Sequence, residues 1–513
     1  SLKVRLWKQW LHQDLRTSTM KKRIALFIIS TLFVCAGLFA KGDSYIYDYW
    51  GEIEKSPDMY RVSSVLYASD MGLDVSLKNP SGLFCYKNLV YVVDTDNNRI
   101  IELTYTDDKT LVFNRVIDSF KAEGDVITTF NAPSDLFINA EDETIFIADT
   151  NNGRVVKLDK DLNYILSFTE PNDPTYEKGK SFLPEKVVTD VKGRAYILAR
   201  NVNKGFLKYE YDGTFTSFYG ASEVTYNFSD YIWKKLSTRA QREQLESFVP
   251  TEYSNCYIDS TGFIFACLRT FSEWDLRADK AKPIRRLNAL GKDILVKNGI
   301  GSGGGNLPIG DLMWGNAAGI KGPARYADVT VLDNEVYVVI DETRGRIFGY
   351  NNQGYLLYAF GNKGNIQGYF RDPKAIEHCG RDLFVLDRQG CSLTVFAPTD
   401  LGNLIYDATE QYAVGEYDAA AKTWEEVLKV NGTYDLAYVG MGKAYMRQEK
   451  YHEAMEAFGL KRDKKNYSKA FQYYRKEWIE KNIGWIITGI IIVVVIWLAS
   501  LIVKRIKWEM AGL

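Results

Sequence analysis

A short phrase that recurs along the chain constrains the fold more than any other feature. Each copy is an apolar strand, a turn that begins with Asp, an Arg five residues after that Asp, and a second apolar strand. Such a unit cannot bury its hydrophobic faces alone, so its recurrence at blade-sized intervals predicts a closed ring of small antiparallel sheets, a β-propeller. The three clear copies contain the pairs Asp94 and Arg99, Asp149 and Arg154, and Asp341 and Arg346.

Three weaker copies complete a set of six. One contains Asp387, one at residues 196–199 lacks the Asp, and one at residues 263–266 replaces the turn with a longer insert. The last unit ends near Pro398 after three strands, whereas residues 60–67 read as an orphan strand ahead of the first full unit. We expect this orphan strand to complete the last blade, because closing the ring in this way removes an exposed sheet edge.

The openings of the units carry a family resemblance. A Pro precedes the first apolar strand in residues 79–84, 132–137, 183–187 and 372–376. Together with the Asp-led turns, this pattern resembles NHL repeats over residues 59–398. The resemblance implies a mainly β fold, a six-bladed NHL-type β-propeller. It does not specify a function, since propellers of this type include scaffolds, ligand binders and a few lyases and hydrolases.

The Asp and Arg of the repeated phrase are predicted to be structural. An Asp at the start of a tight turn accepts backbone N–H bonds, and an Arg five residues later can pair with it or with a neighbouring blade. The alternative is metal or acid–base chemistry around the ring. Asn97, Asn98, Asn151 and Asn152 suit turn positions with left-handed backbone angles.

Catalysis finds little support in the sequence. The chain has three His residues, and only His378 lies in the propeller, so no His cluster is available for zinc. We therefore predict no catalytic residue, no metal and no cofactor. Cys256 and Cys267 flank a predicted hairpin turn symmetrically, which leaves two possibilities, a disulfide or two buried thiols.

Two insertions in the ring are the predicted binding regions, because long loops on a rigid scaffold commonly carry function. Residues 228–249 have helical spacing and contain Trp233, and the glycine-rich residues 299–326 contain Asp311 and Trp314. We predict these three residues as candidate rim contacts. A structural cover for the ring is the alternative.

After the propeller the hydrophobic period changes from strand to helix. Two segments match at an offset of 34 residues and resemble a tetratricopeptide repeat, in which a small Ala lets paired helices approach and an aromatic fills the gap. Because only about two repeats fit, we expect a helical adaptor, with a partner-docking site as the alternative. The aligned pairs are Tyr417 and Tyr451, Ala420 and Ala454, and Trp424 and Phe458.

Two apolar segments predict the membrane topology. Residues 483–503 contain no charged residue and are long enough to cross a hydrocarbon core of about 30 Å as a helix. Lys504, Arg505 and Lys507 follow at once, which predicts a cytoplasmic C-terminus. Residues 24–40 follow a basic stretch and have the form of a secretory signal, either a cleaved signal peptide or a retained anchor.

Charge is divided along the chain in agreement with this topology. Residues 1–40 carry +6 and residues 483–513 carry +2 out of a total of −1, which leaves −9 for the body between them. Basic ends around an acidic body fit a protein whose ends face the cytoplasm while its body lies outside. An acidic body also lacks the basic stripe that nucleic-acid binding requires, so no nucleic-acid partner is expected.

The sequence predicts six parts. A rigid ring, a helical adaptor and a membrane anchor are together typical of a protein that holds an assembly at the membrane. We expect a non-enzymatic scaffold or receptor subunit of a bacterial membrane complex, such as one built around a transporter, with the bilayer itself as a partner. The alternatives are an extracellular glycan or peptide sensor and a metal-dependent lyase or lactonase. The parts are a basic cytoplasmic segment (1–23), a signal peptide or anchor (24–40), the propeller (59–398), a helical domain (403–482), a transmembrane helix (483–503) and a cytoplasmic tail (504–513).

Overall fold

The first three strands of the described chain join sheets whose other strands come much later in the sequence. The computed structural model describes residues 44–511 apart from 49–50, 123, 125, 174–175, 177–180, 201, 203, 221–252, 269–270, 278–280, 298–309 and 312–321. Strands β1 (Tyr45–Tyr47) and β2 (Ile53–Lys55) pair with each other, and β3 (Tyr60–Leu66) follows. All three join sheets made by residues beyond position 325.

Blades 1, 2 and 3 are regular four-stranded antiparallel sheets. Blade 1 contains β4 (Gly82–Tyr86), β5 (Leu89–Asp94), β6 (Arg99–Tyr105) and β7 (Leu111–Ile117). A two-stranded ribbon of β8 (Ser119–Lys121) and β9 (Ile127–Thr129) follows it. Blade 2 contains β10 (Pro133–Ile138), β11 (Ile145–Asp149), β12 (Arg154–Leu158) and β13 (Tyr164–Phe168). Blade 3 contains β14 (Pro184–Thr189), β15 (Ala195–Ala199), β16 (Phe206–Tyr209) and β17 (Phe215–Tyr219).

Blades 4, 5 and 6 each depart from this pattern. Within the described residues, blade 4 has three strands, β18 (Tyr253–Ile258), β19 (Ile264–Leu268) and β20 (Ile284–Leu287), with helix α1 (Glu273–Arg277) between the last two. Blade 5 contains β21 (Tyr326–Val331), β22 (Tyr337–Asp341), β23 (Arg346–Tyr350) and β24 (Leu356–Phe360), and β1 and β2 extend its outer edge. Blade 6 contains β25 (Pro373–Cys379), β26 (Asp382–Asp387) and β27 (Ser392–Pro398).

The ring closes through β3, which pairs antiparallel with β27 as the fourth strand of blade 6. This confirms the sequence prediction for the orphan strand. The first strands of successive blades pack side by side around the axis, and the second strands are buried along their whole length. Burial on both faces explains why the second strands are continuous apolar runs rather than alternating ones. The six-bladed propeller is therefore confirmed.

A helical region follows blade 6 directly. Four helices of ten to fifteen residues precede one helix of 48 residues that has no break. At about 1.5 Å per residue, the last helix is about 70 Å long. The helices are α2 (Asp400–Val414), α3 (Tyr417–Val430), α4 (Asp435–Arg447), α5 (Tyr451–Leu460) and α6 (Lys464–Ala511).

Glycines opposite buried aromatics set the spacing of these helices. A Cβ at Gly440 would lie 2.3 Å from the indole nitrogen of Trp424, and one at Gly442 would lie 2.5 Å from the ring of Phe458. Tyr417 and Tyr451 begin α3 and α5, and Ala420 and Ala454 are fully buried beside the two aromatics. The aligned positions therefore occupy equivalent places in α3 and α5, which are separated by α4.

The helical region packs directly against the ring. Thr399 caps α2 and donates a hydrogen bond from its hydroxyl to the carbonyl of Asp58 at 2.6 Å. Tyr434 donates to the carbonyl of Leu357 at 2.8 Å, and Arg381 pairs with Asp407 at 2.7 Å. Apolar side chains of α2, α3 and α4 share one buried cluster with blades 5 and 6. The two parts therefore form one packed body.

Candidate functional site

The Asp-led turns meet at one end of the ring's axis, around a space that we call the axial cavity. Its volume is about 550 Å³, and it is open to solvent at that end of the ring. The openings of the first strands and the turns after the second strands form its wall, with contributions from five of the six blades. The lining residues are Asn79, Ser81, Thr95, Asp96, Ala132, Ser134, Thr150, Asn151, Glu185, Lys186, Arg200, Ser254, Lys374 and Arg388.

Hydroxyl groups in this wall connect one blade to the next. Ser81 donates to the carbonyl of Ser134 at 2.8 Å, and Ser134 donates to the carbonyl of Glu185 at 2.9 Å. On the other side of the ring, Ser254 donates to the carbonyl of Tyr326 at 3.2 Å. These bonds fix the wall before any ligand arrives, which lowers the entropy cost of binding. The cavity can therefore offer fixed polar groups to a hydrophilic ligand.

The wall carries four basic side chains, most of which are paired with carboxylates. Basic residues come from blades 3 and 6, which face each other across a six-membered ring. Arg200 forms an ion pair with Glu185 at 2.6 Å, and Arg388 forms one with Asp372 at 2.6 Å. Lys186 is paired as well, with Asp135 at 2.9 Å, so the wall presents paired charges that can donate to and accept from a polar ligand. The basic residues are Lys186, Arg200, Lys374 and Arg388, and the acidic ones are Asp96 and Glu185.

Sequence reasoning missed these residues, although a signal for them exists. Ser81, Ser134, Glu185 and Lys374 each directly follow the Pro that opens a first strand. Aligning the four Pro positions would have placed these side chains at one level of the ring.

Within this wall, Lys186 of blade 3 forms a buried ion pair with Asp135 of blade 2. The Lys186 ammonium is 2.9 Å from Asp135, and both side chains are 9% exposed. Burial opposes the charge of Lys186, but the charges of Asp135 and Asp328 outweigh it and hold its pKa above the usual value. Asp328 is buried on the opposite side of the ring, where burial raises its pKa to about 7 against the opposing charge of Lys186. Lys186 thus supplies one ammonium to two acidic groups.

Asp135, Lys186 and Asp328 do not fit a bound metal ion. Among the residues that the structure describes, no group of three or more His, Cys, Asp or Glu side chains could hold one. The Lys186 ammonium already supplies positive charge to Asp135 and Asp328, which a cation would otherwise supply. An ammonium and a metal ion compete for the same carboxylates, so this arrangement favours a structural role for the two Asp residues.

In blades 1 and 2, the Asp of the repeated phrase bonds to the Arg of its own turn and to the loop that precedes the first strand of its blade. Asp94 accepts from the backbone N–H of Lys78 at 2.7 Å and from Arg99 at 2.8 Å. Asp149 accepts from the N–H of Asn131 at 2.7 Å and from Arg154 at 2.9 Å. Both Asp residues are fully buried, so the hydrogen bonds satisfy carboxylates that would otherwise be costly to bury.

The four Asn residues of these turns do not all have the predicted backbone geometry. Asn98 is left-handed, with φ of 54°, but Gly153 holds the equivalent position in blade 2. Asn97 and Asn152 instead donate their side-chain amides to Asp94 and Asp149, each at 2.8 Å. The prediction of left-handed angles at Asn97, Asn151 and Asn152 is wrong, because these residues form the 3₁₀ turn itself.

Blades 5 and 6 use the phrase differently. Asp341 accepts from the backbone N–H of Arg325 and of Thr343, each at 2.8 Å, and burial raises its pKa to about 6. Its Arg346 turns away and pairs with Asp311 at 2.9 Å. Asp387 accepts from the backbone N–H of Arg371 at 2.7 Å.

Of the predicted rim contacts, only Asp311 lies within the described residues. Trp233 and Trp314 lie outside them, as do residues 228–249. Asp311 is 3% exposed and contacts Arg346 and the hydroxyl of Tyr45. Tyr45 belongs to β1, so this residue ties the extra strand to blade 5 and is not presented to solvent.

The two cysteines of blade 4 are free thiols. Cys256 lies opposite Ala266, and Cys267 lies opposite Asn255, so the hairpin register is offset from a symmetric pairing by one residue. Neighbouring positions along a strand point to opposite faces, which places the two sulfurs in different core clusters. The disulfide possibility is therefore wrong for this register.

Comparisons with known proteins give distant structural likenesses. No family model matches the chain, and no curated protein does. Streptogramin B lyase is similar at 11% identity and a TM-score of 0.38, over 67% of this chain and 100% of that one. Virginiamycin B lyase from Staphylococcus aureus is similar at 10% identity and a TM-score of 0.38, over 66% and 99%. A protein of unknown function from Bacteroides thetaiotaomicron is similar at 9% identity and a TM-score of 0.40, over 70% and 77%.

Proposed function

We propose that this protein is a membrane-anchored, non-enzymatic scaffold or receptor subunit. Its propeller and helical region would lie outside the cytoplasm and contact other subunits of a membrane complex, such as one built around a transporter. We also infer that the blades are NHL-type and that the helical region is tetratricopeptide-like, from the sequence patterns and from the equivalent places of Trp424 and Phe458.

One observation carries this proposal, namely the continuity of α6. The helix begins beside α5, where Ala470 is buried, and continues without a break through the apolar residues 483–503. By length and composition, α6 could cross a membrane, and its apolar part is fully exposed. A body packed on such a helix would be held at a fixed height and orientation above the bilayer, which suits a protein that positions others.

The orientation is part of the proposal. Lys504, Arg505 and Lys507 follow the apolar residues, and positive residues favour the cytoplasmic side. An alkaline phosphatase fused after Leu513 should therefore be inactive, whereas the same enzyme fused after Lys481 should be active. Activity of the first fusion and not of the second would reverse the topology.

The scaffold role is tested by purification of the full-length protein from its native membrane in a mild detergent, followed by mass spectrometry. We expect stoichiometric membrane subunits that are lost when residues 461–513 are replaced by an unrelated anchor. The matched control replaces residues 483–503 alone. If the subunits dock on the helical region, this variant should still co-purify with them. Recovery of the protein without partners would contradict the proposal.

A second candidate is binding of an extracellular glycan or peptide at the axial cavity. The specific observation in its favour is the preformed wall of hydroxyl groups and paired charges, which suits a hydrophilic ligand. We expect an array of acidic and neutral glycans and peptides to show binding that weakens in Lys374→Ala and Arg388→Ala. The exposed Lys192→Ala is the control and should bind normally. The third alternative, a metal-dependent lyase or lactonase, has no such observation in its favour.

A further inference from the structure

A second cavity lies where the helical region meets the propeller. It is about 200 Å³ in volume, is partly open to solvent and lies between the outer side of blade 5 and helices α2, α3 and α4. The rings of Tyr355, Tyr412 and Trp424 form part of its wall. We call this space the junction cavity. It is separate from the axial cavity, with which it shares no lining residue.

A half-buried cation lines the junction cavity. The Lys443 ammonium donates to the side-chain oxygen of Gln353 and lies 4.2 Å from the centre of the Tyr355 ring. Among the described residues, no carboxylate lies within ion-pair distance of it. Burial lowers the pKa of Lys443 to about 8, against the more distant charge of Asp463. A partly desolvated ammonium without an adjacent carboxylate carries an energetic cost, so the site gains free energy when an anion pairs with it.

A second cation lies one helical turn away. Arg447 follows Lys443 by four residues on α4, so the two side chains lie on the same face of the helix. Arg447 also lines the cavity but is exposed, which places it at the entrance. One oxygen of a small anion could thus accept from the half-buried ammonium while the other accepts from the guanidinium at the entrance.

Size and wall chemistry narrow the ligand class. About 200 Å³ is below the roughly 300–1,000 Å³ of drug-sized pockets, so only a small group fits. Aromatic walls and a half-buried ammonium favour a planar, partly apolar anion over a fully hydrated one, because the rings exclude water and strengthen charged hydrogen bonds. A carboxylate at the end of a short carbon chain meets both conditions.

We propose that the junction cavity binds a small carboxylate group through Lys443 and Arg447. The carboxylate can come from a free short-chain acid or from the C-terminus of a partner protein. This inference does not rest on the scaffold role, because a free acid would bind even to a protein without partners. In the second case, the cavity would be the docking point of a subunit on the helical region.

The test uses the full-length protein in mild detergent and isothermal titration at pH 7. The probes are sodium succinate and one short Gly/Ser peptide in two forms, with a free C-terminal carboxylate or with an amide. Preference for the free carboxylate peptide over both other probes identifies a protein terminus, and equal or better binding of succinate identifies a free acid. Absence of binding by all probes at millimolar concentration overturns the proposal.

Three variants assign the binding to this cavity. Lys443→Met should weaken binding about tenfold or more, since a hydrogen bond to a charged group contributes about 1.5–3 kcal/mol. Arg447→Gln, at the exposed entrance, should weaken it several-fold without affecting the fold. Lys429→Met removes an ammonium that is 68% exposed and pairs with Glu426, so it should bind as the unmodified protein does. Unchanged binding in both Lys443→Met and Arg447→Gln would also overturn the proposal.

Discussion

The hydroxyl of Tyr406 in α2 lies 2.6 Å from the hydroxyl of Tyr60 in β3, the strand that closes the ring. A third hydroxyl, that of Tyr358 in blade 5, is also 2.6 Å from Tyr406. All three rings are buried, and the Tyr60 hydroxyl donates a hydrogen bond to the carbonyl of Arg381 at 2.9 Å. Closure of the propeller and attachment of the helical region therefore share one hydrogen-bonded cluster.

Tyr406→Phe tests this shared cluster. The change keeps the ring and its packing but leaves the hydroxyls of Tyr60 and Tyr358 without a common partner in a buried site. We expect the free energy of unfolding to fall by about 1–3 kcal/mol, the cost of an unsatisfied buried polar group. Urea titration of the full-length protein in mild detergent measures this change. Tyr211→Phe, at a side chain that is 65% exposed, should leave stability unchanged.

Gly440→Ala tests the spacing of the helical pairs. The added Cβ would meet the buried indole of Trp424 at 2.3 Å, and neither group can move without a shift of the helix. We expect a loss of about 1–3 kcal/mol, as is common for overpacked cores. Gly459→Ala is the matched control, because its Cβ meets nothing closer than 4.0 Å. There the helix propensity of Ala should add up to about 1 kcal/mol of stability. Equal effects of the two changes would contradict this packing.

Lys186→Met tests the buried ion pair between blades 2 and 3. Removal of the ammonium leaves Asp135 and Asp328 buried without a positive charge, so we expect a loss of about 3–5 kcal/mol. The double variant with Asp135→Asn should regain part of this loss, because an amide can still accept from the N–H of Val187. The exposed Lys192→Met is the control. Stability equal to that of the unmodified protein in Lys186→Met would mean that the two acids are already protonated.

Local sequence signals were sufficient for the ring. The Asp-led turns contain short-range contacts, such as the pairing of Asp149 with Arg154 five residues later, so each blade can be recognised from a few neighbouring residues. Closure by β3 was also predictable. The last blade had three strands and an unpaired strand preceded the first blade, and pairing the two removes an exposed sheet edge. These parts of the fold follow from the repeated spacing of apolar strands and Asp-led turns, which is visible in the sequence.

The parts that were not predicted depend on contacts between distant residues. β1 and β2 are three residues each, too short for a period, and their place on blade 5 depends on the contact between Tyr45 and Asp311. The axial cavity joins residues from five blades, and only a comparison of the positions after each Pro would have indicated it. Lys443 is a charged residue on α4, so its partial burial could not be read from the sequence and follows from the packing of α4 against blade 5.

Lys443 also predicts a dependence of stability on pH. Burial lowers the pKa of Lys443 in the folded protein to about 8, below its usual value of about 10.5. At neutral pH the folded protein therefore holds a charged ammonium in an unfavourable environment, which lowers the free energy of unfolding. This cost is complete below pH 8 and disappears as the pH rises to about 10.5, where the unfolded chain also loses the proton. Asp463 opposes this shift and Lys465 adds to it, while Arg447 stays charged throughout.

Lys443→Met should therefore stabilise the ligand-free protein by about 1–3 kcal/mol at pH 7, since one pKa unit corresponds to about 1.4 kcal/mol and partial exposure reduces the effect. The difference between the two proteins should shrink as the pH rises from 8 to 10.5. Urea titrations of both proteins at several pH values measure it, with Lys429→Met as the control that shows no such trend. A variant that is less stable at pH 7 would mean that the ammonium is already compensated, and the cavity would then have no electrostatic reason to attract a carboxylate.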